Sequence, residues 1–512
     1  MLLLDIVPCL IFFRVEVIGE MANKKDITIF KCFNMFIIFV RDAIRGSKST
    51  NLDTRTDKPL SSPSSMVTLK RDLGKLSGYA TIIGLLVGAG IFRVTGEAGA
   101  VAGSAVPWAY LLFAPIVLST ALAYSIFIST PLGMRPGGAY IHISRTFGNY
   151  YVGFIAMWMK LLAFIGAIAF MATSLGEYMT FFLPGTDPRL WASITMIFFY
   201  GVNLFGVRHY GHIQIAMLVI LMISILVLVI PGLFAVDLKY YNPPLPKGFS
   251  GLLAAMPMLF FSYAGFETLA QVAGETKDPT RTLPMIFVKG VLASVLIFFL
   301  ISFVAFGVLP AETLAQSQSA MADVAGQYLP PWGSKIVAIG AMSAFLTSIN
   351  GSILVPSRML FVFSEDRLLP NFLAKVHPKW RTPHVSLIIS GVICTGLVWS
   401  KSAYFLMSTG LIGIFIIYIM QGFALICLPT LNKPLYDSAG FKPPVWVLYI
   451  LGSISVISMG FFMAQIIADV FLWTLGGLVI GTLIYLLGRS AGKKEGFDYE
   501  ARMEQDYHLL DQ

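Results

Sequence analysis

Charged residues are scarce in this sequence. Asp, Glu, Lys and Arg together make up 12% of 512 residues, where a soluble domain carries about one quarter. That excludes an ordinary water-soluble domain. Cysteine is rare too. Cys9, Cys32, Cys394 and Cys427 are the full set, the last two lie in apolar runs, and the spacing fits no metal site or disulfide framework. Short alternating strands are missing, which argues against a membrane barrel. The apolar runs hold no HExxH, no paired catalytic carboxylates and no nucleophile–base cluster, and no phosphate-binding loop occurs. Neither a membrane-embedded enzyme nor a nucleotide-driven pump is expected, and no cofactor or metal. A ring-forming charge repeat or carbonyl filter, which a channel would need, is absent as well.

Apolar length is what the chain has. It is 56% hydrophobic with a mean hydropathy of +0.77, in nearly continuous runs of about 20 residues, the length of a membrane-crossing helix. The net charge of +9 falls in short loops, as membrane topology requires. The bilayer is therefore the expected partner, and nucleic acid is not.

The hydrophobic pattern predicts an all-α polytopic membrane protein with twelve crossings, near 76–100, 105–130, 147–180, 190–206, 213–235, 250–275, 284–309, 333–363, 384–400, 403–429, 445–467 and 470–488. The third and eighth are long and should tilt. Lys and Arg fall about 18 to one set of loops and about 5 to the other, which puts both termini in the cytoplasm of a multi-pass cell-membrane protein. His209 and His212 lie three apart on that side without a third ligand and read as interfacial. Residues 1–65 differ: two short apolar stretches precede a linker with a disordered composition. Either the functional protein starts at Met66, or this extension is an N-terminal membrane anchor. A transporter domain over 66–490 and a cytoplasmic tail over 491–512 complete the expected organisation.

VGAGIF, residues 87–92, interrupts the first crossing, and Arg93 follows directly. A glycine inside a helix costs about 1 kcal/mol relative to alanine, and in a membrane no water replaces a lost backbone bond. The sixth crossing carries its own Ala-Gly at Ala264–Gly265, about 175 residues later. Counting from the first to the sixth, the offset is five crossings, and an odd offset would invert the second unit relative to the first. The units would be about 76–235 and 250–429, with 445–488 appended. Interrupted segments at matching places in two halves point to a transporter binding site. Freed N–H groups of the first crossing would hold a carboxylate, and unwound carbonyls of the sixth would accept from an ammonium. Close packing of small residues is the alternative explanation for the glycines.

LVGAGIF, PGGAY at Pro136–Tyr140, and YAGFE followed by GETKDPTRTLP at Gly274–Pro284 resemble the amino acid–polyamine–organocation (APC) superfamily of permeases, over about residues 70–490. The resemblance implies the LeuT-type fold, a 5+5 inverted repeat with broken helices 1 and 6, and small amino-acid substrates moved by proton symport or exchange. Carried over position by position, Val87, Gly88, Ala89, Gly90 and Ile91 would take the substrate carboxylate. Phe260, Phe261, Ser262, Tyr263 and Ala264 would take its amino group, with Phe261 at the family's aromatic gate, and Asn350 matches a common family asparagine. Members that couple through a fifth-helix lysine carry it after a GVK-x-x-x-K-V-Q-like start. Here the start is GVRHYGHIQ and the lysine's position falls on Leu221, a departure from that coupling.

Several polar residues inside the crossings leave two readings open, since an intramembrane charge costs about 2.5–3.5 kcal/mol on insertion scales. Lys160, in the third crossing, either snorkels to an interface or stands in for a cation or carries the coupling proton. Glu267 either caps a helix start or is a protonatable switch between the first and sixth crossings. Arg93 and Glu97, four apart on one helix face, form a structural ion pair or an outer gate; an Arg93 facing the site would favour acidic substrates. Ser343, Thr347 and Ser348 either glue helices or offer oxygens to sodium. Phe261, Tyr263 and their apolar neighbours suggest a neutral side-chain pocket. The leading expectation is therefore a proton-coupled symporter of neutral amino acids, with proton or sodium as coupling ion. The alternatives are an obligate amino acid or polyamine exchanger and a non-transporting amino acid sensor. The sequence does not give the oligomeric state.

Overall fold

The computed structural model describes residues 69–507 apart from 89, 318, 401 and 402. The extension over residues 1–65 and the possible start at Met66 lie outside the described residues, as do Ala89 and the last five residues of the tail. All described residues fall in one compact unit, Val67–Gln512.

The described residues are helical throughout, and their one β-type pairing is a single bridge between Leu73 and Thr276. In chain order the helices are α1 (Lys75–Leu86), α2 (Thr95–Ala102), α3 (Val106–Ile128), α4 (Ala139–Phe147), α5 (Tyr150–Phe182), α6 (Pro188–Leu204), α7 (Val207–Ala235), α8 (Gly248–Leu259), α9 (Thr268–Gln271) and α10 (Pro279–Val308). They continue with α11 (Ala311–Gln316), α12 (Ala320–Gly326), α13 (Pro331–Ser352), α14 (Leu354–Glu365), α15 (His384–Trp399), α16 (Ala403–Leu431), α17 (Lys433–Asp437), α18 (Val445–Lys494) and α19 (Tyr499–Tyr507). Nine helical stretches among them are long and apolar enough to cross a membrane, and α15 is a shorter apolar helix. This is a multi-pass helical membrane protein. The eleventh and twelfth expected crossings run together as α18, with a kink at Val470 (φ −124°).

Local chemistry sets the helix starts. Asn149 accepts from the Tyr151 amide at 2.9 Å at the head of α5, and Asp187 does the same for Arg189 at 2.9 Å, with Pro188 in the first turn of α6. Each satisfies an amide that the helix itself cannot. The long helices are apolar on all sides, as bilayer-embedded helices are, yet their faces differ. On α7, Leu221, Ser224, Ile225 and Leu228 are buried, whereas Val219, Ile223, Leu226 and Ile230 are about half exposed. That exposed apolar stripe, repeating at helical spacing, suits lipid and not water. Leu221, at the place of the family's lysine, belongs to the buried face.

Candidate functional site

The first crossing is interrupted where the glycines predict. α1 ends at Leu86, Val87 leaves the helical region (φ −80°, ψ 51°), Gly90–Val94 wind as a wider π-type turn, and α2 begins at Thr95. Gly90 presses on the sixth crossing: a Cβ there would stand 2.6 Å from the Ser262 Cα. At Gly88 it would stand 1.7 Å from the Ser348 hydroxyl. Interruption and close packing therefore coincide, and only residues without a side chain permit the approach. Val87 and Ile91 are fully buried beside the gap.

The sixth crossing breaks more sharply. α8 gives way to a 3₁₀ turn over Phe260–Tyr263, Ala264 is extended, and Gly265 has φ +115°, a conformation that favours glycine. Four residues of α9 follow. A small cavity lies between the two breaks and is closed by α5, α13 and α16. Gly90, Phe261, Ala264 and Gly265 line it, together with Phe164, Ala167, Met171, Ile414, Ser348 and Ser352. It leaves about 30 Å³ accessible to water, room for one or two molecules and too little for an amino acid as it stands. Among the expected substrate contacts, Phe260 and Tyr263 send their side chains elsewhere. Phe260 packs in an aromatic cluster with Phe113, Phe415 and Phe462. Tyr263 meets Phe298 edge-on at 4.9 Å and donates to the Tyr110 carbonyl at 2.8 Å. The Ser262 hydroxyl is 3.1 Å from that of Tyr110.

Beside this cavity sits a buried ion pair. Lys160 Nζ lies 2.9 Å from Glu267 Oε1, and both side chains are fully buried. Lys160 is thus paired inside the protein and does not reach an interface, which removes the snorkelling alternative. Glu267 does not cap α9. Its Oε2 accepts from the Gly265 amide at 3.0 Å and from the Tyr418 hydroxyl on α16. The carboxylate therefore holds the break of the sixth crossing to α5 and α16 at once. Among the described residues the ammonium has no hydrogen-bond partner beside this counter-ion, and it stands 5.0 Å from the Phe164 ring. A buried charge with a single partner is costly to leave alone.

Asn350 lies in a neutral network instead of on the cavity wall. Its amide donates to Gln214 Oε1 at 2.8 Å, and its oxygen accepts from Asn203 at 3.1 Å. Gln214 reaches the carbonyls of Thr347 (3.2 Å) and Ala80 (3.4 Å), joining α7, α13 and α1. Ser343 donates to the Met217 carbonyl at 2.8 Å and Thr347 to that of Gly84 at 2.9 Å. Two of the three candidate sodium ligands thus hold helices together here, while Ser348 lines the cavity.

Arg93 ties α5 to the start of α2. It lies 3.1 Å from Glu177, 3.4 Å from Glu97 and 5.8 Å from the Phe170 ring, which stands edge-on to Phe261. At the other end of the two interrupted crossings, the Leu73 amide donates to the Glu275 carbonyl at 3.0 Å, and the Glu275 carboxylate takes Arg358 of α14 at 2.8 and 3.1 Å. Sequence reasoning assigned no role to Tyr418, Gln214 or Arg358. None lies near its partner in sequence, so no spacing signals them.

Paired interruptions around a closed central cavity, inside a multi-pass helical protein, define a membrane transporter. A model of the family described as "Amino acid permease" matches residues 73–485, and the chain belongs to that family, one of transporters and not of enzymes. It is 26% identical to the branched-chain amino acid permease of Bacillus subtilis over 348 residues, 64% of this chain and 74% of that protein. It is also 26% identical to the serine/threonine exchanger of Bacillus subtilis, over 76% of this chain and 91% of that protein. A methylthioribose transporter of Bacillus subtilis is 24% identical over 66% of this chain and 77% of that protein.

Proposed function

We propose that the protein carries neutral amino acids across the cell membrane by alternating access and couples their uptake to protons. The fold in this reading is LeuT-type. Its twelve crossings comprise repeats over about 76–235 and 250–429 plus 445–488, with both termini cytoplasmic. The count is supported by the nine long apolar stretches and the shorter apolar α15: the first stretch contains two crossings in this reading, and α6 is taken as one more. The unwound stretch at Val87, Gly88, Ala89, Gly90 and Ile91 holds the substrate carboxylate on free amides. Backbone carbonyls of Phe260, Phe261, Ser262, Tyr263 and Ala264 hold its ammonium, and Phe261 closes over it.

The carrying observation is the buried Lys160–Glu267 pair, 2.9 Å apart beside the break of the sixth crossing. Protonating Glu267 would remove the charge that pairs Lys160 and weaken the bond from Tyr418, so one proton changes the contacts that hold the closed site. Neutral substrates are supported by the cavity wall, where Ser348 and Ser352 are the polar side chains and none is charged. One similar protein is an exchanger, which favours exchange as the second reading.

Uptake of a panel of labelled amino acids into proteoliposomes tests both. Accumulation under a proton gradient alone is expected. Uptake seen only with unlabelled amino acid inside would establish exchange, and a requirement for a sodium gradient would return Ser343, Thr347 and Ser348 to consideration. Binding without flux under any condition would overturn transport in favour of a sensor.

A further inference from the structure

α19 lies beyond residue 485, where the family match ends, yet its last turn sends one side chain into the rest of the protein. Asp506 is fully buried. Its carboxylate receives Arg135 Nη1 at 2.5 and 2.6 Å and Arg145 Nε at 2.9 Å, and the Tyr507 hydroxyl donates to the Arg145 carbonyl at 2.6 Å. The same two arginines grip the end of α14. Arg145 Nη2 is 2.9 Å from Asp366, and Arg135 Nη2 is 3.2 Å from Glu365. The tail thereby joins the turn before α4 to the end of α14.

Those two segments are the seat on which the inner end of the sixth crossing closes. At Gly274 a Cβ would stand 2.6 Å from Pro136, the residue after Arg135, and Glu275 is held by Arg358 of α14. The start of the first crossing meets the same place, through Arg71 donating to the Met134 carbonyl at 3.3 Å. Freeing the inner ends of the two broken crossings requires that the Pro136 turn and α14 spread apart. Asp506 takes both arginines, Arg135 of the first segment and Arg145 of α4 that follows it, while Arg502 on the same helix stands 3.5 Å from Asp366 at the end of the second, so α19 opposes that spreading.

We propose that α19 is a strap that holds the inner side of the transporter closed, with Asp506 as its fastening residue. The proposal rests on the alternating-access reading. It assigns a regulatory role to a tail outside the matched region: anything that lifts α19 accelerates opening toward the cytoplasm.

The test uses the full chain with its four cysteines replaced by serine and a reporter, Ala273→Cys, placed in the buried turn beside Gly274. The rate of maleimide modification from the inner side is measured in membranes, and amino acid flux is measured in parallel. Asp506→Asn should raise the modification rate roughly tenfold, the change that about 1.4 kcal/mol makes in an equilibrium. Tyr507→Phe, which removes one hydrogen bond and no charge, should raise it by a smaller factor and carries the test if Asp506→Asn fails to fold. Unchanged modification in both variants overturns the strap, as does lowered thermal stability without faster modification. Loss of flux in the unmutated protein would instead strike the transport reading, while the modification rates would still judge the strap.

Discussion

Among the buried ionic groupings about the sixth crossing, the central pair and the arginine cluster at the end of α14 are built differently. At the middle of the protein Lys160 faces Glu267 with no other partner for its ammonium among the described residues. In the cluster assigned to the inner face, Arg145 alone places three nitrogens, on Asp506, Ser144 and Asp366, and Arg135 binds Asp506 and Glu365. Desolvating a charge is costly unless many hydrogen bonds replace water. The inner cluster meets that condition and therefore fixes structure. The central pair barely meets it. In the proposed reading the difference separates a fastening from a switch.

The largest effect should come from breaking the central pair on one side only. Lys160→Ala or Glu267→Ala leaves a buried charge without its partner, at a cost of about 3–5 kcal/mol. Thermal unfolding in detergent should show a strongly lowered midpoint in both, and uptake should vanish. At the inner cluster, Asp366→Asn should cost less, about 1.5–3 kcal/mol, because Glu365 and Asp506 still face the arginines. Burial alone would raise the Asp366 carboxyl, but Arg145, Arg135 and Arg502 outweigh burial and hold it well below the usual carboxylate range. A group depressed in this way stabilises the fold above its ordinary value near ~3.9 and loses that contribution as pH falls through its lowered value. The stability difference between Asp366→Asn and the unmutated protein should therefore be constant from neutral pH down to ~4 and shrink below it, read as unfolding midpoints across pH. The smallest effect belongs to Arg93, whose side chain is 32% exposed beside Glu97 and Glu177. Partly exposed pairs contribute at most about 1 kcal/mol, so Arg93→Ala should unfold nearly as the unmutated protein does and retain preference for neutral over acidic substrates in competition assays.

The helical class, the position of both interruptions and the family were legible in the sequence, because apolar length, Ala-Gly pairs and the GETKDPTRTLP loop are local features. Lys160 and Glu267 each stood out as charges in apolar runs. That they face each other did not, since 107 residues separate two helices whose packing no periodicity records. Asn350 shows a second limit. It stands beside residues that line the cavity, yet its side chain turns to Gln214 and Asn203, a choice made by three-dimensional neighbours. The tail was read only as a cytoplasmic end, for nothing in the local sequence around Asp506 announces two buried arginines.

The central claim is that one proton on the Lys160–Glu267 pair releases the closed site. The measurement that tests it most directly is the pH profile of uptake by the doubly neutral Lys160→Met/Glu267→Gln protein in proteoliposomes. That variant strands no charge, so it should fold. The account predicts exchange that no longer varies with pH and loss of accumulation under a proton gradient. A pH profile and gradient-driven accumulation like those of the unmutated protein would contradict it.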